Sequence, residues 1–340
     1  MRIGIVNDLP AMSELLRRIV GLTQKHHVIW IAGSGAEAVE LCGTQTPDLV
    51  LMDLVMPGMN GAETTQRIMA STPCAVLLVT ASVRDNAGLV LDALGHGAID
   101  AVDIPTMRGG DLRKAAGPFL SKIDVMSRLI GEKPGTGNAT ARRGRAGLAA
   151  HSDRLVAIGA SAGGPAVLST ILRGLPKEFP AAIVVVQHVG EEFVSGMADW
   201  LGQESALPVR VAEEGDCPTI GCVLLAGTNN HLVLKTAHCV GYTTEPSDYV
   251  HRPSVDVFFQ SVSRLWRGDV VGVLLTGMGR DGALGLKALR DRGHHTIAQD
   301  EATSAVYGMP KAAATIGAAV DILPVERIAS RLVDVLAGKS

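Results

Sequence analysis

The sequence predicts two α/β domains in tandem, each a doubly wound parallel sheet, and three observations predict it. Short apolar runs alternate with helical patterns from residue 1 to about 120. The alternation then stops across a stretch rich in Gly, Arg and Ala, and it resumes from about 153. Such alternation implies parallel strands covered by helices on both faces. The boundaries that follow are a first domain over 1–120, a linker over 121–152 and a second domain over 153–340.

In the first domain RIGIV, HVIWIAG, DLVLMD, AVLLVTA and AIDAVDI read as five buried strands. MSELLRRIV, GAEAVELC, AETTQRIMA and NAGLVLDALGHG space their apolar residues as helices do, and a last helix falls near DLRKAAGPFLSKID. Residues 131–152, GEKPGTGNATARRGRAGLAAHS, carry no apolar period and read as exposed linker. In the second domain RLVAIGAS, AAIVVVQH, VRVAEEG, CVLLAGT, HLVLK and VVGVLLTG read as strands. GPAVLSTILRGL, FVSGMADWLGQES, SVDVFFQSVSRLW and GALGLKALRDRG read as helices, and no internal repeat is evident.

Composition narrows the function. Apolar residues make up 47% and charged residues 19%, enough for two buried cores. A net charge of −3 and 3% aromatic residues argue against a nucleic-acid partner, which needs a basic face and stacking rings. The opening MRIGIVND meets a charge at Asp8, so no secretory leader is expected. No apolar run reaches the ~18 residues of a membrane span, so no direct membrane insertion is expected. Cys42, Cys74, Cys217, Cys222 and Cys239 form no CxxC pair and read as reduced thiols of a cytoplasmic protein.

Ligands of open parallel sheets bind beyond the carboxyl ends of the strands. Three such ends in the first domain carry chemistry: Asn7 and Asp8 after the first strand, Asp53 closing the third, Thr80 closing the fourth. Asp8 and Asp53 would repel unless a hard cation with oxygen ligands, Mg²⁺, sat between them. A metal there would also help the Asp53 carboxylate attack a phosphoryl group. Together with MPGMNG after Asp53, these residues resemble the receiver domain of bacterial response regulators, a flavodoxin-like doubly wound fold. The resemblance implies Asp53 as phosphoacceptor, Thr80 as the switch hydroxyl and a sensor histidine kinase as phosphodonor. Three positions depart from the pattern. Asn7 stands where a first acid is usual, Ile104 where a Lys is usual, and Ala101 where an aromatic is usual.

In the second domain Gly159-Ala160-Ser161-Ala162-Gly163 sits between a strand and a helix. As a phosphate loop it fails: Pro165 replaces the Lys of a P-loop, and Ser161 replaces the middle glycine of a dinucleotide fingerprint. Simple phosphate holding at the helix start stays open. As a nucleophile turn, G-x-S-x-G presents the serine Oγ and aims N–H groups at a developing oxyanion. His188, closing AAIVVVQH on the same sheet edge, is the candidate base. Asp281, in LLTGMGRDGALG, is the candidate carboxylate that orients it, with Asp256 of RPSVDVFF the alternative. His231 and His251 read as site walls or substrate contacts.

IGASAGG, VVQH, HRPSVDVFF, LLTGMGRDGALG and AQDEATSAVYGMPKAA are similar to the catalytic domain of the chemotaxis protein-glutamate methylesterases. The opening GIVND is similar to that of their Wsp-type surface-sensing branch. The resemblance implies hydrolysis of glutamate γ-methyl esters on the cytoplasmic domain of methyl-accepting chemoreceptors, and in some members deamidation of receptor glutamines. It implies Ser161 as nucleophile, His188 as base, Asp281 as orienter, and the N–H groups of Ala162 and Met278 as oxyanion donors. Ester hydrolysis of this kind needs no cofactor. The unphosphorylated receiver is expected to cover the site, and phosphorylation to relieve it. Two rival functions stay open: a catalytically weak receptor-binding protein, and a hydrolase of small esters or amides. No helix-turn-helix or basic region follows the receiver, which argues against a transcription factor.

Overall fold

The computed structural model describes residues 1–338 apart from Gln24, Arg84, 106–114, 131–153 and Val250. The chain divides into two compact units, Met1–Lys133 and Pro134–Ser340.

In the first unit β1 (Arg2–Val6), β2 (His27–Ala32), β3 (Leu49–Asp53), β4 (Ala75–Thr80) and β5 (Asp100–Asp103) form a parallel sheet in the order β2-β1-β3-β4-β5. Leu49, Val50, Leu51 and Met52 are wholly buried, as a central strand covered on both faces requires. Helices α1 (Pro10–Val20), α2 (Gly35–Thr44), α3 (Gly61–Ser71) and α4 (Ala87–Gly95) join successive strands. Proline opens α1, where its missing N–H costs nothing, and Arg17 and Arg18 complement its negative end. Asn60 caps α3 by accepting the Glu63 N–H at 2.9 Å.

Helix α5 (Gly117–Ile130) runs straight through residue 120, so the domain boundary expected there falls inside a helix. Side-chain pairing holds α5 to the first unit. Asp124 meets the buried His26 at 2.9 Å, and Lys122 meets Asp100 at 2.9 Å. Residues 131–152 of the expected linker lie outside the described residues.

In the second unit β6 (Leu155–Ala160), β7 (Ala182–Gln187), β8 (Val209–Val211), β9 (Val223–Leu225), β12 (Val270–Leu274), β13 (His295–Gln299) and β14 (Asp321–Leu323) form a seven-stranded parallel sheet. Its order is β14-β13-β12-β6-β7-β9-β8. Between β9 and β12, β10 (His231–Leu234) and β11 (Val240–Thr243) pair as an antiparallel hairpin. The helices are α6 (Gly164–Arg173), α7 (Glu191–Glu204), α8 (Val255–Leu265), α9 (Ala283–Asp291), α10 (Met309–Thr315) and α11 (Val325–Leu336). β6 and β7 are buried at every residue, and Phe258, Phe259 and Val262 of α8 pack into the same core.

The predicted elements omit β11, β13, β14, α10 and α11. Polar residues bracket β13, and β14 has only three residues, so neither offers a long apolar run. In α11 the signal is plain: Val325, Ile328, Ala329, Leu332 and Leu336 are buried at helical spacing. The five expected thiols are not all free, because Cys217 and Cys239 form a disulfide, leaving Cys42, Cys74 and Cys222. Chain geometry explains the pairing. The loop after β8 lies along β11, with Gly215 N–H on the Val240 carbonyl and Val240 N–H on that of Asp216, at 3.0 and 2.7 Å. Among the described residues no helix is long and apolar enough to cross a membrane.

Candidate active site

The strand order of the second unit reverses at β6. The chain builds outward through β7, then returns to β12 on the other side. Loops leaving neighbouring strands in opposite directions open a crevice at that point. Ser161 follows β6, His188 follows β7, and Asp281 lies between β12 and α9. Ala160 pairs with Gln187, and His188 N–H donates to the Ala160 carbonyl at 3.0 Å. Ser161 and His188 therefore leave adjacent strand ends, about one strand spacing (~4.8 Å) apart.

Ser161 is 9% exposed and its backbone is fixed on both sides. Its N–H donates to the Thr276 carbonyl at 3.0 Å, and its carbonyl accepts the Gly164 N–H and the Gln187 Nε2, each at 2.8 Å. Gly163 turns the chain into α6 at φ +75°, where a Cβ would also come within 2.6 Å of Ala305. Only glycine meets both conditions at low cost. Ala162 N–H and Met278 N–H, the expected oxyanion donors, have no hydrogen-bond acceptor among the described residues. Both residues are half-buried.

His188 Nε2 meets Asp281 Oδ2 at 2.8 Å. A carboxylate only accepts, so Nε2 carries the proton. Its other nitrogen, Nδ1, is buried and has no hydrogen-bond partner among the described residues. The His251 ring stacks on His188, with centroids 4.2 Å apart and planes 12° apart. Desolvation of the ring face stacked on His188, together with the charge of His188, lowers the His251 pKa below the ordinary histidine value, though the rest of the side chain is exposed.

Asp281 is the most heavily bonded side chain of the site. Besides His188 it accepts Ser254 Oγ–H at 2.8 Å and the N–H groups of Val255, Asp256 and Gly282 at 2.8, 3.0 and 3.1 Å. The first three come from the N-terminus of α8, whose field favours an anion. Burial opposes the charge of Asp281. His188 and the N–H groups of Asp256 and Val255 outweigh it and hold the carboxyl at about 2. Asp256, the alternative orienter, lies inside α8 and gives its Oδ1 to Gly285 N–H at 2.7 Å.

His231 corrects one expectation. It is wholly buried; Nε2 meets the Pro246 carbonyl at 3.0 Å and Nδ1 accepts Ser254 N–H at 3.1 Å. With both nitrogens used, it braces Ser254 and has no face for substrate. His251 is exposed. Three residues not anticipated from sequence complete the scaffold. Ser254 serves Asp281. Gln187 Nε2 bridges the carbonyls of Ser161 and His188 at 2.8 and 3.2 Å. Thr276 Oγ donates to the Ala162 carbonyl at 3.0 Å and accepts Val306 N–H at 2.9 Å. Gln187 and Thr276 do carry a signal, since each is a polar residue at the end of an apolar strand and must find a partner.

The first unit also reverses its strand order, between β1 and β3, and Asp53 stands at that edge. Asn7 Nδ2 donates to Asp53 Oδ2 at 2.7 Å, and Val55 N–H donates to Oδ1 at 3.2 Å. Burial raises the Asp53 carboxyl above its ordinary value. The N–H groups of Val55 and Leu54 oppose the rise, and the charge of Asp8 adds to it. The charge of Asp8 acting on Asp53 marks two carboxylates near each other, the oxygen chemistry a hard dication takes, although among the described residues no third acid, His or Cys joins them. Thr80 is buried and its hydroxyl accepts Asn86 Nδ2 at 3.0 Å. Ile104 is buried at the position usual for Lys. Lys122 does not replace that Lys, because it binds Asp100 and the Ala101 carbonyl at the far end of β5.

Comparison with known proteins matches residues 156–332 to the CheB methylesterase family and residues 3–115 to the response regulator receiver domain. A protein-glutamate methylesterase/protein-glutamine glutaminase of Cupriavidus metallidurans is 58% identical over 333 residues, 98% of each chain. One of Pseudomonas putida is 56% identical over 339 residues, 99% of this chain and 100% of that one. The solved CheB methylesterase catalytic domain of Thermotoga maritima is 36% identical with a TM-score of 0.53. It covers 54% of this chain and 99% of that domain.

Proposed function

The chain belongs to the CheB methylesterase family, with a response regulator receiver domain ahead of the catalytic unit, and from that premise we propose how its residues work. The chain is a carboxylic ester hydrolase of response-regulator type, acting on protein glutamate γ-methyl esters. Its substrate is the cytoplasmic domain of a methyl-accepting chemoreceptor, and it works in the cytoplasm. The same chemistry extends to receptor glutamines, with ammonia leaving in place of methanol.

The observation that carries the residue assignment is the His188–Asp281 pair beside the Ser161 turn, with the second imidazole nitrogen buried and without a hydrogen-bond partner among the described residues. Asp281 fixes the proton on Nε2 and leaves the Nδ1 lone pair for the serine proton. With Nε2 on Asp281, Nδ1 is the nitrogen left to take the serine proton, the reverse of the usual triad. His188 Nδ1 takes the Ser161 proton as Oγ attacks the γ-carbonyl carbon. The N–H groups of Ala162 and Met278 receive the oxyanion, each contributing roughly 3–4 kcal/mol of barrier lowering. The tetrahedral species collapses, the C–OCH₃ bond breaks, and methanol leaves with the proton from His188. Water then gives a proton to His188 and attacks the acyl-serine, releasing the glutamate carboxylate and restoring Ser161.

In the receiver, Asp53 accepts a phosphoryl group from a sensor histidine kinase, and phosphorylation regulates ester hydrolysis. Asp8 and Asp53 would hold Mg²⁺, which supplies charge neutralisation around the incoming phosphoryl oxygens. Asn7 orients Asp53 through its Nδ2–H, and Thr80 is the switch hydroxyl. The receiver falls within the first compact unit, Met1–Lys133, and the methylesterase domain within the second, Pro134–Ser340.

The test is methanol release from a methylated chemoreceptor cytoplasmic fragment. Ser161→Ala is expected to lower the rate by at least about 10³-fold. An undiminished rate in that variant overturns the assignment.

A further inference from the structure

Helices α8 and α9 make a reciprocal exchange that the proposed chemistry does not use. Asp281 immediately precedes α9 but gives most of its lone pairs to the N-terminus of α8: Ser254 Oγ–H, Val255 N–H and Asp256 N–H. Asp256, in the first turn of α8, does the reverse and gives Oδ1 to Gly285 N–H in the first turn of α9 at 2.7 Å. Each helix start is thus served by the other helix's acid. Gly285 makes the exchange feasible, because a Cβ there would meet the Phe259 Cβ at 2.6 Å and the Asp256 carbonyl oxygen at 3.0 Å.

Asp256 is 5% exposed. A buried carboxylate is costly unless well supplied with donors. Burial raises its pKa to about 6; the Gly285 N–H opposes, the charge of Asp281 adds, and the N–H groups of Gly282 and Leu284 oppose. Asp281 is the charged side chain acting on it, and α9 faces it with backbone donors. Cheaper ways exist to stabilise one helix start. A second acid beside the orienting acid makes sense if it fixes where the first one points.

We propose that Asp256 is a positioning residue: seated on the first turn of α9, it locks that helix to α8 and so holds Asp281 against His188. The proposal rests on the Ser161–His188–Asp281 reading above. It assigns Asp256 no contact with substrate. Its effect reaches the chemistry through the angle between two helices and the charge beside Asp281.

The experiment measures kcat and KM against pH for the full chain, by methanol release from a tritiated-methyl chemoreceptor fragment. Asp256→Ala, Asp256→Asn and Asp281→Ala are compared, with circular dichroism and thermal melting checking that each is folded at assay temperature. Asp256→Ala is expected to lose about tenfold or more in kcat with KM within about twofold. Asp256→Asn keeps an oxygen for Gly285 N–H and is expected to recover most of kcat. Its acid limb of kcat/KM moves to lower pH by about half a unit, because one negative charge has gone from beside Asp281. A helix-stabilising role alone lowers the melting temperature and leaves kcat and the limb in place. Folded Asp256 variants with wild-type kcat and limb overturn the proposal. If Asp256→Ala does not fold, the limb of Asp256→Asn decides. If Asp281→Ala also keeps wild-type kcat, the triad reading fails first.

Discussion

The two units use one device, a carboxylate at the carboxyl edge of a parallel sheet, and treat it in opposite ways. Asp281 is surrounded by donors: His188, the Ser254 hydroxyl and the N–H groups of Val255, Asp256 and Gly282. These drive its carboxyl down to about 2 against the effect of burial. Asp53 has the Asn7 amide and the Val55 N–H; burial pushes its carboxyl up, and the charge of Asp8 adds to the rise. A carboxylate meant to stay a fixed charge is saturated with donors. A carboxylate meant to react, or to await a cation, is left short of them. Topology places both, and the number of donors assigns the role.

The largest effects should come from breaking the saturated site. His188→Ala is expected to lower methanol release by about 10³-fold or more while leaving the fold intact, measured on receptor fragment with melting as control. Asp281→Ala should do nearly as much to the rate and cost stability as well. It strips Ser254 and the start of α8 of their acceptor, a loss of about 3–5 kcal/mol read by urea unfolding. The matching truncation, Asp53→Asn, sharpens the contrast. It should change stability by less than about 1 kcal/mol, because it relieves repulsion from Asp8, while erasing any rate difference made by a phosphodonor.

Titration gives the next effect, and its sign differs between the sites. Asp281 ionises at about 2 when folded against an ordinary 3.8. Its stabilisation is therefore full above about pH 4 and lost as pH falls towards 2, roughly 2 kcal/mol in all. Asp53 is raised, so its contribution is present below the ordinary value and lost as pH climbs through the folded value. Urea stability measured against pH for the wild type, Asp281→Asn and Asp53→Asn separates the two contributions. Smallest is Asn7→Asp, which removes a donor from Asp53 and adds a third acid. It should cost about 0.5–1 kcal/mol without divalent cation and regain it with millimolar Mg²⁺. No regain would speak against a cation at Asp8 and Asp53.

Sequence patterning reveals most of this architecture because buried parallel strands are continuous apolar runs. RIGIV, DLVLMD, LVAIGA and AIVVVQ needed no tertiary information. The edge of the catalytic sheet is harder to read, since three-residue strands such as β14 carry little pattern. At the site, Ser161, His188 and Asp281 stand out because each ends or follows a strong strand. Their supports do not. Ser254 looks like an ordinary helix cap, and its bond to Asp281 spans 27 residues of chain. His231 reads in sequence as a site wall or substrate contact and is placed as a brace, because its burial and its two partners are properties of the fold. The Cys217–Cys239 pairing likewise depends on a loop lying along a hairpin, which no spacing rule encodes.

The central claim is that Ser161 is made nucleophilic by a neighbour 27 residues away, itself held by Asp281. The most direct test treats the full chain with a fluorophosphonate and sequences the tryptic peptide Leu155–Arg173 by mass spectrometry. A single adduct on Ser161, absent in His188→Ala, is the predicted result. An unlabelled Ser161 in protein that still releases methanol, or labelling that persists without His188, would contradict it.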